Sequence, residues 1–323
     1  MPGDIVTLLS ALLVGLVFGF VLQRGRFRCN MAFASMITPR KDFTIFRAYL
    51  LSLLVAILGA NLIEDIGWLI AVDPSDGEIV TKALYRQGFA PVANIAGGYL
   101  FGLGMVLANG CASGILYRCG QGFTDAWLAF ASFFLGLCVT MHGWLKPLYG
   151  LSASVVVRVN DKVNPALWDL FGGGMAAKWI TIGVITIIIS LFLLPGKPFK
   201  RALKGYYWST TGLFLGVIIV IAWWASTYWG GRPRGLSFTG PTAEFFLSLL
   251  TGDPMVGRTP VFDFFGLFRT TWASLYVVAV PVGALLSAKL LKEFKLFFLP
   301  REELVATFSG GFMMGVGAAI GRG

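Results

Sequence analysis

Two polar breaks in an otherwise apolar chain carry the residue types that could do chemistry. The first runs Arg24-Gly25-Arg26-Phe27-Arg28-Cys29-Asn30; the second runs Asn109-Gly110-Cys111-Ala112-Ser113-Gly114 and continues to Tyr117, Arg118 and Cys119. A glycine-rich break beside an apolar helix leaves backbone N–H and C=O groups unpaired, at a cost on the order of several kcal/mol each in hydrocarbon. The second break therefore either lines a polar cavity or is a tight loop at a membrane surface. A short helix starting near Cys111 would aim its free N–H groups into such a cavity and form an anion site. Three arginines at i, i+2 and i+4 cannot all face lipid, and they read either as an interfacial anchor or as part of an anion path. Arg118 is the basic residue between two apolar segments and near Cys111, which makes it a further candidate.

The elements that must position these residues are membrane helices. The chain has 323 residues, 56% hydrophobic and 13% charged, with a mean hydropathy of +0.76, which is too apolar for a soluble domain of this size. Apolar runs near the length that crosses a bilayer occur at about 5–22, 45–63, 92–108, 124–142, 175–194, 207–229, 270–290 and 304–320. The expected fold is an all-α polytopic membrane protein with about eight membrane segments. Asp4 stands where a signal peptide would be basic, so the first segment is expected to remain as a membrane helix.

Two stretches repeat. GGYLFGLGMVLANG at 97–110 and GGFMMGVGAAIGRG at 310–323 share glycine at five aligned positions, and GLVFG at 15–19 resembles GLFLG at 212–216. Equivalent segments fall on opposite directions of travel through the membrane, so the halves are expected to be inverted: 1–144 as one repeat, 145–204 as a connecting region with one span, and 205–323 as the second repeat. Inverted repeats with glycine-interrupted segments point to a transporter whose site lies between the halves. Gly98, Gly102, Gly104, Gly311, Gly315 and Gly317 are expected to bring helices close together near the path. The hydrophilic stretches 143–174 and 230–269 each have room for a short interfacial or re-entrant helix, with Thr242 to Leu250 one candidate. Acidic residues within spans would mark proton coupling; none lies near the centre of a predicted span, which favours facilitated passage.

The net charge of +10 does not imply nucleic acid, because Lys and Arg flank the spans and form no patch interleaved with exposed aromatics. The shorter loops, holding Arg24, Arg26, Arg28, Lys197, Lys200 and Lys292 among others, are the more basic, which sets the N-terminus outside. The four cysteines are expected as free thiols. Cys138 and Cys119 read as packing residues. His142 has no Cys, Asp or Glu at metal spacing, and Gly172-Gly173-Gly174 lacks the Lys-Ser/Thr of a phosphate loop, so neither metal nor other cofactor is expected.

RGRFRCNMAFASM after GLVFGFVLQ, together with GGYLFGLGMVLANGCASGILYRCGQG, resembles the paired signatures of the YeeE/YedE sulfur-transport family. The resemblance covers both halves; its second signature is the more specific, with the glycine spacing, the Gly110-Cys111 pair, Tyr117-Arg118 and Gly122 matching together. It implies an inner-membrane permease, bacterial or archaeal, that takes up a small sulfur-containing anion, most closely thiosulfate, and is not an enzyme. It places Cys29 and Cys111 on the substrate path, beside Gly110 and Arg118. A further family cysteine follows the second glycine-rich copy, so it is expected beyond Gly323, with a ninth segment. A neutral thiol is a weak S–H donor with a soft, polarizable surface, able to touch the terminal sulfur of thiosulfate without holding it strongly. Two other readings use the same residues: transport of a selenium species or another sulfur anion, and a membrane thiol enzyme in which Cys111 passes persulfide sulfur to a cytosolic acceptor protein. No general base is adjacent to Cys111 in sequence to support the second.

Overall fold

In the computed structural model, the described residues are 2–37, 42–72, 79–81, 88–154, 156–159, 165–197, 199–200, 205–231, 233–252, 261–264 and 268–322. The chain is built almost wholly of helices. In order they are α1 (Pro2–Gly25), α2 (Cys29–Ile37), α3 (Thr44–Asp65), α4 (Pro91–Leu107), α5 (Ala112–Gln121), α6 (Thr124–Met141), α7 (Lys146–Ser154), α8 (Gly174–Leu193), α9 (Trp208–Tyr228), α10 (Thr239–Thr251), α11 (Trp272–Leu290) and α12 (Leu304–Ile320). Two small antiparallel hairpins join them, β1 (Ala71–Val72) with β2 (Ile79–Thr81) and β3 (Phe262–Phe264) with β4 (Phe268–Thr270). Among the described residues eight helical segments are long and apolar enough to cross a membrane, and they coincide with the eight apolar runs of the sequence. Two of them are broken: α1 with α2, and α4 with α5. The short helix anticipated at Thr242 to Leu250 is α10, and α7 occupies part of the other hydrophilic stretch.

Backbone-to-backbone approach at glycine holds the bundle together. A Cβ built at Gly15 would sit 2.3 Å from the Tyr276 carbonyl oxygen and one at Gly19 2.0 Å from that of Val280, while one at Gly283 would sit 2.0 Å from the Leu16 oxygen. These contacts advance together along both chains, so α1 and α11 lie parallel and touch along their length. Gly212 meets Ala48 and Gly216 meets Val55 in the same sense, which makes α3 and α9 parallel as well. Thr7 donates to the Trp229 carbonyl while Gly25 packs on Thr211, so α1 and α9 run antiparallel.

α12 is wedged between α4 and α6. Gly310 and Gly317 face α4, where they meet Ala108 and Phe101; Gly311 and Gly315 face α6, where they meet Ala129 and Phe133. The glycines of α4 that answer are Gly97, against Gly321 and Gly317, and Gly104, against Gly310 and Met314. α4 and α12 are thus antiparallel. The packing expected of Gly98 and Gly102 is not found: a Cβ at either would meet nothing within 4 Å, because both project from the far side of α4. Helical spacing explains it, since 97 and 104 are seven residues apart and share one face, whereas 98 and 102 share another.

α8 is attached more lightly. Its Ile180, Val184, Ile187, Ile188 and Leu191 are exposed, as expected of a lipid-facing surface, and its Lys178 is buried against Glu64 and Asp65 of α3 at 2.7 and 2.6 Å.

The two faces of α4 give a direct test. Gly104→Ala forces backbone apart and is expected to lower stability by about 1–3 kcal/mol; Gly98→Ala is expected to be neutral or to stabilise by up to about 1 kcal/mol, through helix propensity. Thermal unfolding of the two variants in detergent measures the difference, and equal losses would contradict the assigned face.

Candidate functional site

The second break forms because α4 cannot continue past Ala108. Asn109 adopts a left-handed conformation (φ 52°), which asparagine tolerates better than most residues. Gly110 is buried, and a Cβ there would press on Ile115 at 3.3 Å. Cys111 is then extended and caps α5, its Sγ accepting from the Gly114 N–H at 3.4 Å and lying 3.3 Å from Ser113 Oγ. A thiol here takes the place usually held by Ser, Thr, Asp or Asn.

The first break brings Cys29 to the same point. α1 ends at Gly25, Arg26 turns the chain with φ 49°, and α2 begins at Cys29. Cys29 lies close enough to Cys111 for the two to interact electrostatically, and both cysteines are free thiols. The N-termini of two short helices therefore meet at a pair of thiols. Each contributes unpaired N–H groups and the positive end of a helix dipole.

Next to the first break, and lined by neither cysteine, lies a cavity of about 480 Å³ whose lining includes Arg26, Arg28, Tyr117, Lys292, Glu293 and Lys295. Arg28 Nε donates to the hydroxyl of the buried Tyr117 at 2.8 Å, placing that ring between the cavity and the interior. Arg26 pairs with Glu293 at 2.5 Å, and the fully buried Gln23 donates to the same carboxylate at 3.2 Å while accepting from Ser287. Four cations face one carboxylate, so the cavity attracts anions.

Arg118 sits elsewhere in the scheme. Its guanidinium is buried, paired with Asp125 at the start of α6, donates to the Asn109 carbonyl at 3.1 Å, and lies over the Phe123 ring at 5.0 Å. It thereby ties the break before α5 to the turn after it, where Gly122 takes φ 96°. Its charge is paired with that of Asp125. Cys119 is packed in the hydrophobic cluster of α6 and α12, and Cys138 is half-buried in α6. Sequence spacing did not single out Gln23, Glu293 or Asp125. The available signal was that each is polar and adjoins an apolar run.

The family model described as "Sulphur transport" matches residues 24–323. The chain belongs to the sulphur transport family. It is 30% identical over 324 residues to the thiosulfate transporter TsuA of Spirochaeta thermophila, an alignment covering 97% of this chain and 88% of the relative. It is 26% identical over 335 residues to the thiosulfate transporter TsuA of Escherichia coli, covering 98% and 84%. A partial match, 29% identical over 182 residues, links 55% of the chain to 39% of the probable transporter YedE of E. coli. The chain is a multi-pass, all-α membrane protein of this family, with its two signature breaks folded against each other.

Asp125→Ala would leave Arg118 buried without its carboxylate, at an expected cost of about 3–5 kcal/mol. Melting temperature and monodispersity in detergent are the readouts, and the Arg118→Ala/Asp125→Ala double variant is expected to recover part of the loss. A double variant as damaged as the sum of the singles would show that the two side chains act separately.

Proposed function

We propose that this protein is a permease, not an enzyme, that admits thiosulfate across the cytoplasmic membrane past Cys29 and Cys111. The observation that carries the reading is the meeting of two thiols at two helix N-termini beside a basic cavity. The N–H groups and cations favour an anion, and the thiols offer the terminal sulfur of thiosulfate a soft, weakly binding contact. Weak contact suits a path, because an ion must leave each point as readily as it reaches it. Two TsuA relatives aligned over nearly the whole chain carry the name thiosulfate transporter, which supports the choice of substrate.

We further read the bundle as two inverted halves. α1 and α9 occupy equivalent places and run antiparallel, as do α4 and α12. α1 pairs with α11 and α3 pairs with α9, the exchange of partners that a two-fold axis in the membrane plane would produce. The basic cavity at the C-terminal end of α1 then faces the cytoplasm, with the N-terminus outside, in keeping with the positive-inside rule.

Growth on thiosulfate as sole sulfur source, in a bacterial host deprived of its own uptake systems, tests the assignment. The full-length protein is expected to support growth and uptake of labelled thiosulfate. Cys111→Ala is expected to lower the initial uptake rate by about tenfold or more, equivalent to about 1.4 kcal/mol, and Cys138→Ala to leave it unchanged. Membrane-inserted protein that gives no rescue would overturn the substrate; undiminished uptake by Cys111→Ala would overturn the thiol path.

A further inference from the structure

The chain leaves α11 through a tight turn whose two central residues are charged. The Lys292 N–H donates to the Lys289 carbonyl at 3.0 Å and the Glu293 N–H to the Ala288 carbonyl at 2.8 Å, while Lys292 takes a left-handed φ of 55°. This is the Schellman arrangement that ends many helices. Glycine is the usual left-handed residue in it, and an apolar residue commonly follows to pack back on the helix. Here a lysine and a glutamate stand in those places, and both line the basic cavity.

Glu293 is held in position from two sides. Its carboxylate accepts from Arg26 at 2.5 Å and from Gln23 Nε2 at 3.2 Å, and the fully buried Gln23 is itself fixed by Ser287 Oγ at 2.5 Å. The segment beyond the turn is pinned to the end of α5, where the Lys295 N–H donates to the Gln121 carbonyl at 3.3 Å and the Phe297 N–H to that of Gly122 at 3.0 Å. Arg28, Lys292 and Lys295 have no carboxylate partner among the described residues. Stability alone does not account for the acid, since Arg26 and Glu293 are 31% and 25% exposed and a pair so open to water adds little to it.

We propose that the cavity is a resting place for a dianionic oxyanion between the thiols and the cytoplasm, and that Glu293 is the residue that keeps the ion from being held there. This rests on the permease reading and adds to it a residue that sets the rate of release. A space of about 480 Å³ accommodates such an ion with several waters. Four cations around it would make a trap, and a conducting path needs each site to let go as readily as it binds. The carboxylate, fixed on the cavity wall, shares Arg26 with the ion and repels it. A neutral side chain of the same shape would keep the hydrogen bonds of Arg26 and Gln23 and lose the repulsion.

Binding of labelled sulfate and of labelled thiosulfate to the purified full-length protein, at one fixed salt concentration, reads the cavity directly. Uptake of thiosulfate into proteoliposomes reads release. Glu293→Gln is expected to bind both dianions about tenfold more tightly and to show a lower KM together with a lower saturated uptake rate. Glu293→Asp, which keeps the charge, is expected to stay within about twofold of wild type, and Lys295→Gln, at an exposed position, to bind both ions about tenfold more weakly. The tightening by Glu293→Gln is expected to persist when Cys111→Ala is added, because the ion rests in the cavity and not at the thiols. Unchanged binding by Glu293→Gln or by Lys295→Gln, or a tightening that vanishes with Cys111→Ala, would overturn the proposal. Wild-type protein that binds both dianions but takes up no thiosulfate would instead overturn the permease reading.

Discussion

Main chain pressed on main chain is the constraint from which the rest of this structure follows. α1 and α11, α3 and α9, and α12 with both its neighbours meet where glycine removes the side chain, so at these seams backbone lies against backbone. In lipid such packing replaces the hydrophobic drive that water supplies to soluble proteins. The two polar breaks lie where a helix stops. These stops, at Arg26–Arg28 and at Ala108–Cys111, fold against each other, and each needs its loose backbone groups satisfied from within. Cys111 meets part of that need as the cap of α5, so the same sulfur serves the fold and the proposed path.

Charge inside the bundle is managed by pairing. Arg118 with Asp125, Arg26 with Glu293, Arg234 with Glu244 and Lys178 with Glu64 and Asp65 each couple a cation to carboxylate at close range. The pairs differ in what they join. Arg118 and Lys178 fasten one helix end to another and are deeply buried, whereas Arg26 and Arg234 keep partial exposure beside the two polar ends of the bundle. Location, more than residue type, separates the deeply buried pairs from the partly exposed ones.

The sequence made the spans legible because bilayer thickness fixes how long an apolar run must be, and a run of leucine, valine and isoleucine hides little. The two breaks were legible for a related reason: glycine, asparagine and arginine are costly in lipid and stand out. What stayed hidden was direction around a helix and reach between elements. Gly98 and Gly102 form the familiar four-residue spacing, yet on α4 it is the seven-residue pair Gly97 and Gly104 that packs, while α12 uses both spacings on its two faces. Arg118 looked like a free charge near Cys111, because its partner Asp125 is seven residues on, beyond a left-handed Gly122. Glu244 lay outside every long apolar run, and it is the folding of α10 against α11 and its other neighbours that buries it.

The basic cavity carries a consequence for selectivity. Its attraction comes from Arg26, Arg28, Lys292 and Lys295 acting through open, solvated space, and Coulomb's law distinguishes ions by charge and distance alone. Sulfate, which differs from thiosulfate by one oxygen in place of a terminal sulfur, would be gathered there equally well. A chamber of this kind concentrates dianions without sorting them. In the proposed permease, discrimination between those two look-alikes falls to the thiols of Cys29 and Cys111, to which an oxygen and a sulfur present different softness. Capture and choice are thus assigned to neighbouring but separate parts of the molecule, and each can change without the other.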